Sequence, residues 1–456
     1  MQKLKKPTRS ISGVLPLAVV TMPIEGVGCK HNCVYCPTLG VPKSYTPESP
    51  AILRARALSY DAFKQVKARL KILRQMGHKS NKIELIFIGG TFLEMPLAYQ
   101  YNFVKSCYDA LNGKKAKNLE QAKKINEKAK NRVVAFCIET RPDVASENEI
   151  ERMLEFGVTR VELGVQAIDD KILKLVERGH GVKEIKKATA LLKDSCFKVG
   201  YHFMPGLPGS SIKRDIAMYK KLWQDEAFKP DHIKIYPTQV IKGSKLAIWH
   251  RQGKYSPYSK AELIELLIKL KELTPRYCRI MRVMREIPKQ WLVAGTTSIN
   301  LRQELKEIME VRGKKCNCIR CREPGFRRKE KVKLKDIEIK ITKYKASKGK
   351  EFFIEAIDAD DTCYGLIRLR FPYKPFIDEL KDKALIRELH VYGQATLIGK
   401  SGSVQHRGIG KKLLEIAEDI AKQSYDAIAV ISGVGVREYY RRFNYSLGKF
   451  FMLKKI

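Results

Sequence analysis

Apolar runs of strand length recur along the first two thirds of the chain, at 83–91, 133–139, 160–166, 198–204 and 232–236, with helical stretches between them. A run that is apolar almost throughout reads as a strand buried on both faces. Repeated alternation of such runs with helices predicts a parallel α/β sheet or partial barrel. An earlier run, 13–20, reads as the first strand, 42–56 as a proline-bearing loop and 60–76 as a basic helix. The pattern changes after about Arg327. Composition turns charged, alternation begins at Val332, and the remainder reads as strand, strand, helix, strand. The expected division is therefore a first domain over 1–310, a cysteine-rich metal-binding linker over 311–330 and a mixed α/β domain over 331–456.

At 456 residues the chain is too long for one ordinary core, and with 44% hydrophobic residues it is a folded protein. No run approaches the ~18 apolar residues of a membrane span. The start, 1–23, has the basic-then-apolar order of a secretory leader, but Pro16 interrupts the apolar part and cleavage would fall almost inside a cysteine loop. Charge changes the picture most. The 88 Lys and Arg against 49 Asp and Glu leave a formal charge of +39, an excess that repels itself unless a polyanion accompanies it. Nucleic acid is the leading partner, with a uniformly basic proteome as the alternative. The basic stretch 112–132 reads as a surface insertion that either touches phosphates or solvates a helix.

Six of the 11 cysteines fall into two tight sets, and the other five are scattered in apolar surroundings, which is metal usage in a reducing compartment such as the cytoplasm. Cys29, Cys33 and Cys36 form CxxxCxxC with Tyr35 before the last. Three thiolates this close can hold three irons of a cubane and leave the fourth iron open. A zinc clip lacking one ligand is the plainer alternative. Cys316, Cys318 and Cys321 form CxCxxC, which suggests zinc with a fourth ligand from elsewhere or from water. Arg312, Lys314, Lys315, Arg320, Arg322, Arg327, Arg328 and Lys329 flank it, well placed for RNA phosphates or for a structural clip between domains.

Polar residues fall where the predicted strands end: Gly89, Gly90 and Thr91, then Glu139 and Arg141, Gln166 and His202. Parallel barrels keep their ligand at that edge. Near the carboxyl terminus Glu388, Leu389, His390 and Val391 end a strand, and Gln405, Gly408, Ile409, Gly410 and Lys411 open a helix as QxxGxG. Glycines there expose backbone N–H groups to an anion such as a pyrophosphate. Tyr439 and Tyr440 follow on a later helix, where a tyrosine can protonate a departing thiolate or simply pack in a core.

The first cysteine motif resembles the radical S-adenosylmethionine superfamily, and QxxGxG resembles the acyl-CoA loop of GCN5-related acetyltransferases. Together with segments 77–84, 89–92, 139–143, 178–180, 204–209, 234–238, 318–323 and 432–435, they make nearly the whole chain similar to the family of the catalytic subunit of Elongator. The resemblance implies an α/β protein, a radical S-adenosylmethionine partial (β/α) barrel joined to an acetyltransferase domain. It also implies a 4Fe-4S cluster on Cys29, Cys33 and Cys36, with Gly89, Gly90, Thr91, Glu139 and Gln166 on S-adenosylmethionine. Acetyl-CoA is expected to meet Lys82, Glu388 to Val391, Gln405, Gly408 to Lys411 and Tyr440, with Lys82 and Tyr440 catalytic.

The implied activity is that of a tRNA wobble-uridine acetyltransferase. A 5'-deoxyadenosyl radical takes hydrogen from the acetyl methyl, the carbon radical adds to carbon 5 of the uracil, and hydrolysis of CoA leaves 5-carboxymethyluridine. Many relatives carry a longer first cysteine spacer and a tRNA-binding segment ahead of the radical domain. Here the first cysteine is at position 29, so the stretches 112–132 and 312–350, or accessory protein subunits, are expected to supply tRNA contacts. The competing readings are a protein-lysine acetyltransferase with a structural iron–sulfur cluster, a radical enzyme that methylates or thiolates RNA, and an RNA-binding scaffold.

Overall fold

The computed structural model describes residues 10–23, 29–78, 81–296, 300–327, 336–393 and 408–456. Val332 and Gln405, both singled out in the sequence, lie outside them.

The expected parallel sheet is present. β1 (Leu15–Val20), β2 (Lys82–Ile88), β3 (Arg132–Thr140), β4 (Arg160–Gln166), β5 (Lys198–Phe203), β6 (His232–Ile235) and, after the short strand β7 (Val240–Ile241), β8 (Arg279–Arg282) build it in the order β1-β2-β3-β4-β5-β6-β8. Every pair is parallel, so all carboxyl ends share one edge. β1 and β8 do not pair with each other, and the sheet curls into a half-barrel. β7 pairs instead with β9 (Leu292–Ala294).

Helices cover the outer face because strand alternation turns an apolar row toward them. On β2 this row is Ile83, Leu85 and Phe87, all buried. Phe87 meets Phe92, Phe103 and Phe136 edge-on at ring separations of 5.0, 4.9 and 4.7 Å, the arrangement aromatic quadrupoles favour. The basic helix runs over Ala62–Gln75, capped by the Asp61 carboxylate accepting from the Lys64 N–H. Two segments differ from expectation. The proline-bearing stretch contains the helix Pro50–Arg56, since a proline at the first helical turn sacrifices no hydrogen bond. The basic insertion is partly integrated: helix Leu119–Asn126 buries Ala122 and Asn126, and the Asn126 amide bonds to Asn112, Asn131 and the Val133 N–H.

The second sheet has seven strands where fewer were expected. β10 (Glu338–Ala346), β11 (Gly349–Ile357), β12 (Cys363–Phe371), β13 (Ala384–Val391), β14 (Ala427–Val430), β15 (Ser446–Leu447) and β16 (Met452–Lys455) are ordered β10-β11-β12-β13-β14-β16-β15. Only β13 and β14 run parallel, joined through the helix Ile409–Lys422. β12 escapes the sequence pattern because Arg368 and Arg370 interrupt its apolar run; of β13 the pattern marks the end at Glu388 to Val391, with Arg387 just before it. Those charges face the half-barrel. Arg387 donates to both Asp231 oxygens (2.7 and 2.8 Å) and to Glu351 (2.8 Å). Arg370 pairs with Asp194 (2.6 Å) and Glu351 (2.9 Å), and Arg368 with Glu388 (2.7 Å). Asp194 and Asp231 stand just before β5 and β6, so the second domain packs on the amino ends of the barrel strands.

Candidate active site

The inner row of each barrel strand decides the site. On β2 it is Lys82, Glu84, Ile86 and Ile88; on β4 it is Arg160, Glu162, Gly164 and Gln166. A closed parallel barrel fills this space with layers of Val, Ile and Leu. Here Pro16, Ala18, Gly164 and a set of charges leave one cavity of about 1750 Å³, reaching from the cysteine loop through the half-barrel to the second domain.

At the carboxyl end Cys33 is buried and Cys29 and Cys36 are half-buried. Arg178, itself buried, donates to the Cys33 sulfur (3.6 Å) and to the Gly164 carbonyl (2.6 Å). The Ser44 hydroxyl lies 3.2 Å from the Cys36 sulfur. Gly179 has φ +78°, and a Cβ there would stand 2.2 Å from His31 Nδ1, so only glycine lets the loop close over this histidine. The three sulfurs do not all converge within 4.8 Å, whereas those of Cys316, Cys318 and Cys321 do. One tetrahedral zinc holds sulfurs about 3.8 Å apart, a spacing that the second set approaches. Gln166 ends β4 at φ +68°, a strained conformation for a side chain of its kind. Its Oε1, Thr140 Oγ1 and Arg141 Nη1 are buried without a hydrogen-bond partner among the described residues, beside the cysteine loop. Thiols with unspent polar groups next to them fit an iron–sulfur cluster with a polar cofactor alongside.

Midway, a ladder of charges crosses the cavity wall. Glu139, Glu162 and His202 converge as metal ligands would. Lys234 already occupies that place: its Nζ lies 2.7 Å from Glu139 and is paired with Glu162. His202 Nε2 is 3.0 Å from Glu162, and Arg160 bridges Glu162 (3.3 Å) and Glu84. Burial works against the Glu162 charge, but Lys234 and Arg160 hold its carboxyl well below the usual range.

At the amino end burial pulls Lys82 down to about 8. Lys198 pairs with Glu388 (2.6 Å), and His390 Nε2 lies 2.7 Å from the Ser12 carbonyl. His232 is buried with neither ring nitrogen hydrogen-bonded among the described residues; burial and then Lys198 push it well below an ordinary histidine. Gly408 opens the helix Ile409–Lys422 at φ +89°. A Cβ on Gly410 would stand 2.9 Å from the Tyr439 hydroxyl, so glycine permits that approach. Burial raises the Tyr440 phenol far above its normal value.

Cys29, Cys33, Cys36, Lys82, Gly90, Thr91, Glu139, Gln166, Glu388 to Val391, Gly408 to Lys411 and Tyr440 thus line one cavity. Gly89 does not; it turns against Thr21, where a Cβ would meet Oγ1 at 2.5 Å. The two groups of residues lie at opposite ends. β2 alone separates Lys82 from Gly90, a span of about 25 Å at the rise of a strand. Sequence reasoning overlooked Arg160, Lys198, His232 and Arg302 in this cavity, although the charges at alternate positions of β2 signal a polar inner face.

A parallel half-barrel with this cysteine loop defines a radical S-adenosylmethionine protein. The pattern of the Radical SAM superfamily matches residues 25–222, and that of the Radical_SAM C-terminal domain matches 230–311. The chain is 48% identical over 462 residues to the tRNA uridine(34) acetyltransferase of Dehalococcoides mccartyi, covering 99% of this chain and 100% of that one. It is 37% identical over 479 residues to human Elongator complex protein 3, covering 100% and 87%. Its structure matches that of the archaeal Methanocaldococcus infernus Elp3 with N-terminus deletion (1-46) at a TM-score of 0.87 and 42% identity, over 98% of this chain and 100% of that one. The chain belongs to the family of tRNA uridine(34) acetyltransferases and Elongator complex protein 3. Among the described residues no helix is long and apolar enough to cross a membrane.

Proposed function

We propose that the protein attaches a group derived from acetyl-CoA to carbon 5 of the wobble uridine of tRNA by radical chemistry, leading to 5-carboxymethyluridine. The observation that carries this reading is the single cavity joining the cysteine loop to the acetyltransferase domain. Family membership supports the substrate class, and the charge of +39 suits an RNA partner.

In this reading Cys29, Cys33 and Cys36 hold a 4Fe-4S cluster, and Gly90, Thr91, Glu139 and Gln166 hold S-adenosylmethionine, with Gly89 shaping the turn. When bound, these groups supply one-electron chemistry able to break a C–H bond of an unactivated methyl. The protein's own residues orient and hold protons. The backbone from Gly408 to Lys411 offers N–H groups to the CoA pyrophosphate, with Gln405 beside them in the motif. Glu388 to Val391 border the acyl arm. Lys82, charged below pH about 8, attracts the anionic thioester ligand. Tyr440 keeps its proton at neutral pH because burial raises it, so it is available to a departing thiolate. Zinc on Cys316, Cys318 and Cys321 ties the 311–330 linker between a 1–310 radical domain and a 331–456 acetyltransferase domain. A reducing cytoplasm suits both thiolate sites.

The test is anaerobic. The reconstituted protein is incubated with acetyl-CoA, S-adenosylmethionine, reductant and bulk tRNA, and the digested tRNA is searched for 5-carboxymethyluridine by mass spectrometry. The product is expected with the native chain and absent with Cys33→Ala, while Tyr440→Phe slows tRNA-dependent acetyl-CoA hydrolysis. Acetyl-CoA turnover that needs neither Cys33 nor S-adenosylmethionine would instead support a protein-lysine acetyltransferase.

A further inference from the structure

The basic residues around the second cysteine set look alike in sequence, and the fold sorts them. Arg312 pairs with Glu265 (2.7 Å) and Lys314 with Glu272 (3.3 Å). Arg322 is fully buried against Glu355, and Arg327 donates to the carbonyls of Cys321 and Asp360. Arg276 pairs with Glu355 (2.5 Å) and Asp361 (2.7 Å), and Arg279 with Glu323 (2.5 Å). Arg302 and Arg320 differ from all of these. Neither has a carboxylate within ion-pair distance among the described residues. Arg302 Nη2 donates only to the Ile280 carbonyl (3.1 Å), and the Arg320 guanidinium lies 4.1 Å above the Phe326 ring.

Both line the large cavity. They stand close to Arg279, which opens β8, and so mark the amino end of the half-barrel where the acetyltransferase domain packs. Arg279, Arg302 and Arg320 are in mutual Coulombic reach, and Glu323 is paired with Arg279. Between the two sheets, by contrast, the buried arginines Arg368, Arg370 and Arg387 are matched by carboxylates. Arg302 and Arg320 are half-buried, with thiols of the second cysteine set in Coulombic reach of both and Glu323 in reach of Arg320, and a partly desolvated guanidinium without a paired carboxylate gains from an anion entering from the cavity. Arginine suits a phosphate because its planar fork meets two oxygens at once. Phe326 presets the plane of one fork.

We infer that Arg302 and Arg320 form a seat for one phosphate group at the amino end of the cavity. The inference rests on the proposed function, which supplies two phosphate sources: the phosphates of acetyl-CoA and the RNA backbone.

The full-length protein is made as Arg302→Gln, Arg320→Gln and the double variant, with Arg320→Lys retaining charge and Arg312→Gln as a paired surface control. Melting temperature and metal content establish that each is folded. Affinity is then measured separately for acetyl-CoA and for bulk tRNA across a salt series. An RNA seat predicts that the double variant binds tRNA about tenfold more weakly, with a salt slope reduced by about 2, and acetyl-CoA unchanged. A CoA seat predicts the reverse: about tenfold weaker acetyl-CoA binding and an unchanged tRNA slope. Arg320→Lys should fall between Arg320→Gln and the native chain, and Arg312→Gln should change neither affinity. If the folded double variant binds both ligands like the native chain, the seat is wrong while the function stands. If the native chain binds neither ligand, the functional reading fails and the seat with it.

Discussion

Two sets of buried charges in this protein share their chemistry and differ in what they face. Between the domains Lys193, Asp231, Glu351, Arg368, Arg370 and Arg387 have side chains at most 1% exposed, and each carboxylate meets more than one cation. Inside the half-barrel Glu84, Glu139, Arg160, Glu162, His202 and Lys234 pair as closely, yet all six line the cavity, which only Arg387 of the first six borders, and they retain up to 19% exposure. A sealed network contributes through mutual pairing, since any member left alone is stranded without water. A network on a cavity wall can hand part of its hydrogen bonding to a ligand or to solvent. The first holds two domains in one orientation; the second prepares a surface.

The largest effect that would break this comparison lies in the sealed set. Arg387→Met leaves Asp231 and Glu351 undercompensated, and urea denaturation should show a loss of about 3–5 kcal/mol. A loss under about 1 kcal/mol would mean that the interface charges do not hold the domains. Lys234→Met is expected to be milder for stability, about 1–2 kcal/mol, because cavity water can reach Glu139 and Glu162. S-adenosylmethionine affinity, measured by calorimetry on the reconstituted protein, should fall at least tenfold. Equal stability losses in the two variants would erase the distinction.

Acidification separates the sets further. Asp231 and Glu388 are buried, which opposes their charge, but Arg387 on the first and Lys198 on the second hold both well below their ordinary values of 3.8 and 4.5. With folded values depressed, their contribution is complete above those ordinary values and fades as pH falls below them. His232 on the cavity wall behaves differently. Its ordinary value is 6.5 and burial depresses it, so the unfolded chain takes up a proton that the folded chain refuses, and stability falls as pH drops below 6.5. The unfolding midpoint should decline gently below about pH 6.5 and steepen below about 4.5. His232→Gln should remove about 1 kcal/mol of the decline between pH 6.5 and 5.5; an unchanged profile would show that His232 takes up its proton as readily in the folded as in the unfolded chain. The smallest effect belongs to a pair that faces neither interface nor cavity. Arg312→Ala, which breaks the exposed pair with Glu265, should change stability by no more than about 0.5 kcal/mol.

Legibility in the sequence followed the range of the interaction. The cysteine loop, the glycine turn after β2 and the helix opened by Gly408 are local, and their spacing announces their chemistry. β12 was hidden because Arg368 and Arg370 interrupt its apolar run, and the partners Asp194 of Arg370 and Asp231 of Arg387 lie more than a hundred positions away in the other domain. Nothing local distinguishes Arg320, which faces the cavity, from Arg322, which is sealed against Glu355.

Sequence alone determined the class of sheet, the two cysteine clusters and the likeness of the last part of the chain to acetyltransferases, because strand periodicity and residue spacing are properties of neighbouring residues. Tertiary structure decided that the inner face of the half-barrel is open and charged. It also decided that the second domain sits on the amino ends of the strands and that the two groups of site residues occupy opposite ends of one cavity. The physical reason is electrostatic: whether a buried charge joins, lines or binds depends on which opposite charge the fold brings within a few ångströms, and that partner is chosen by packing across the whole chain.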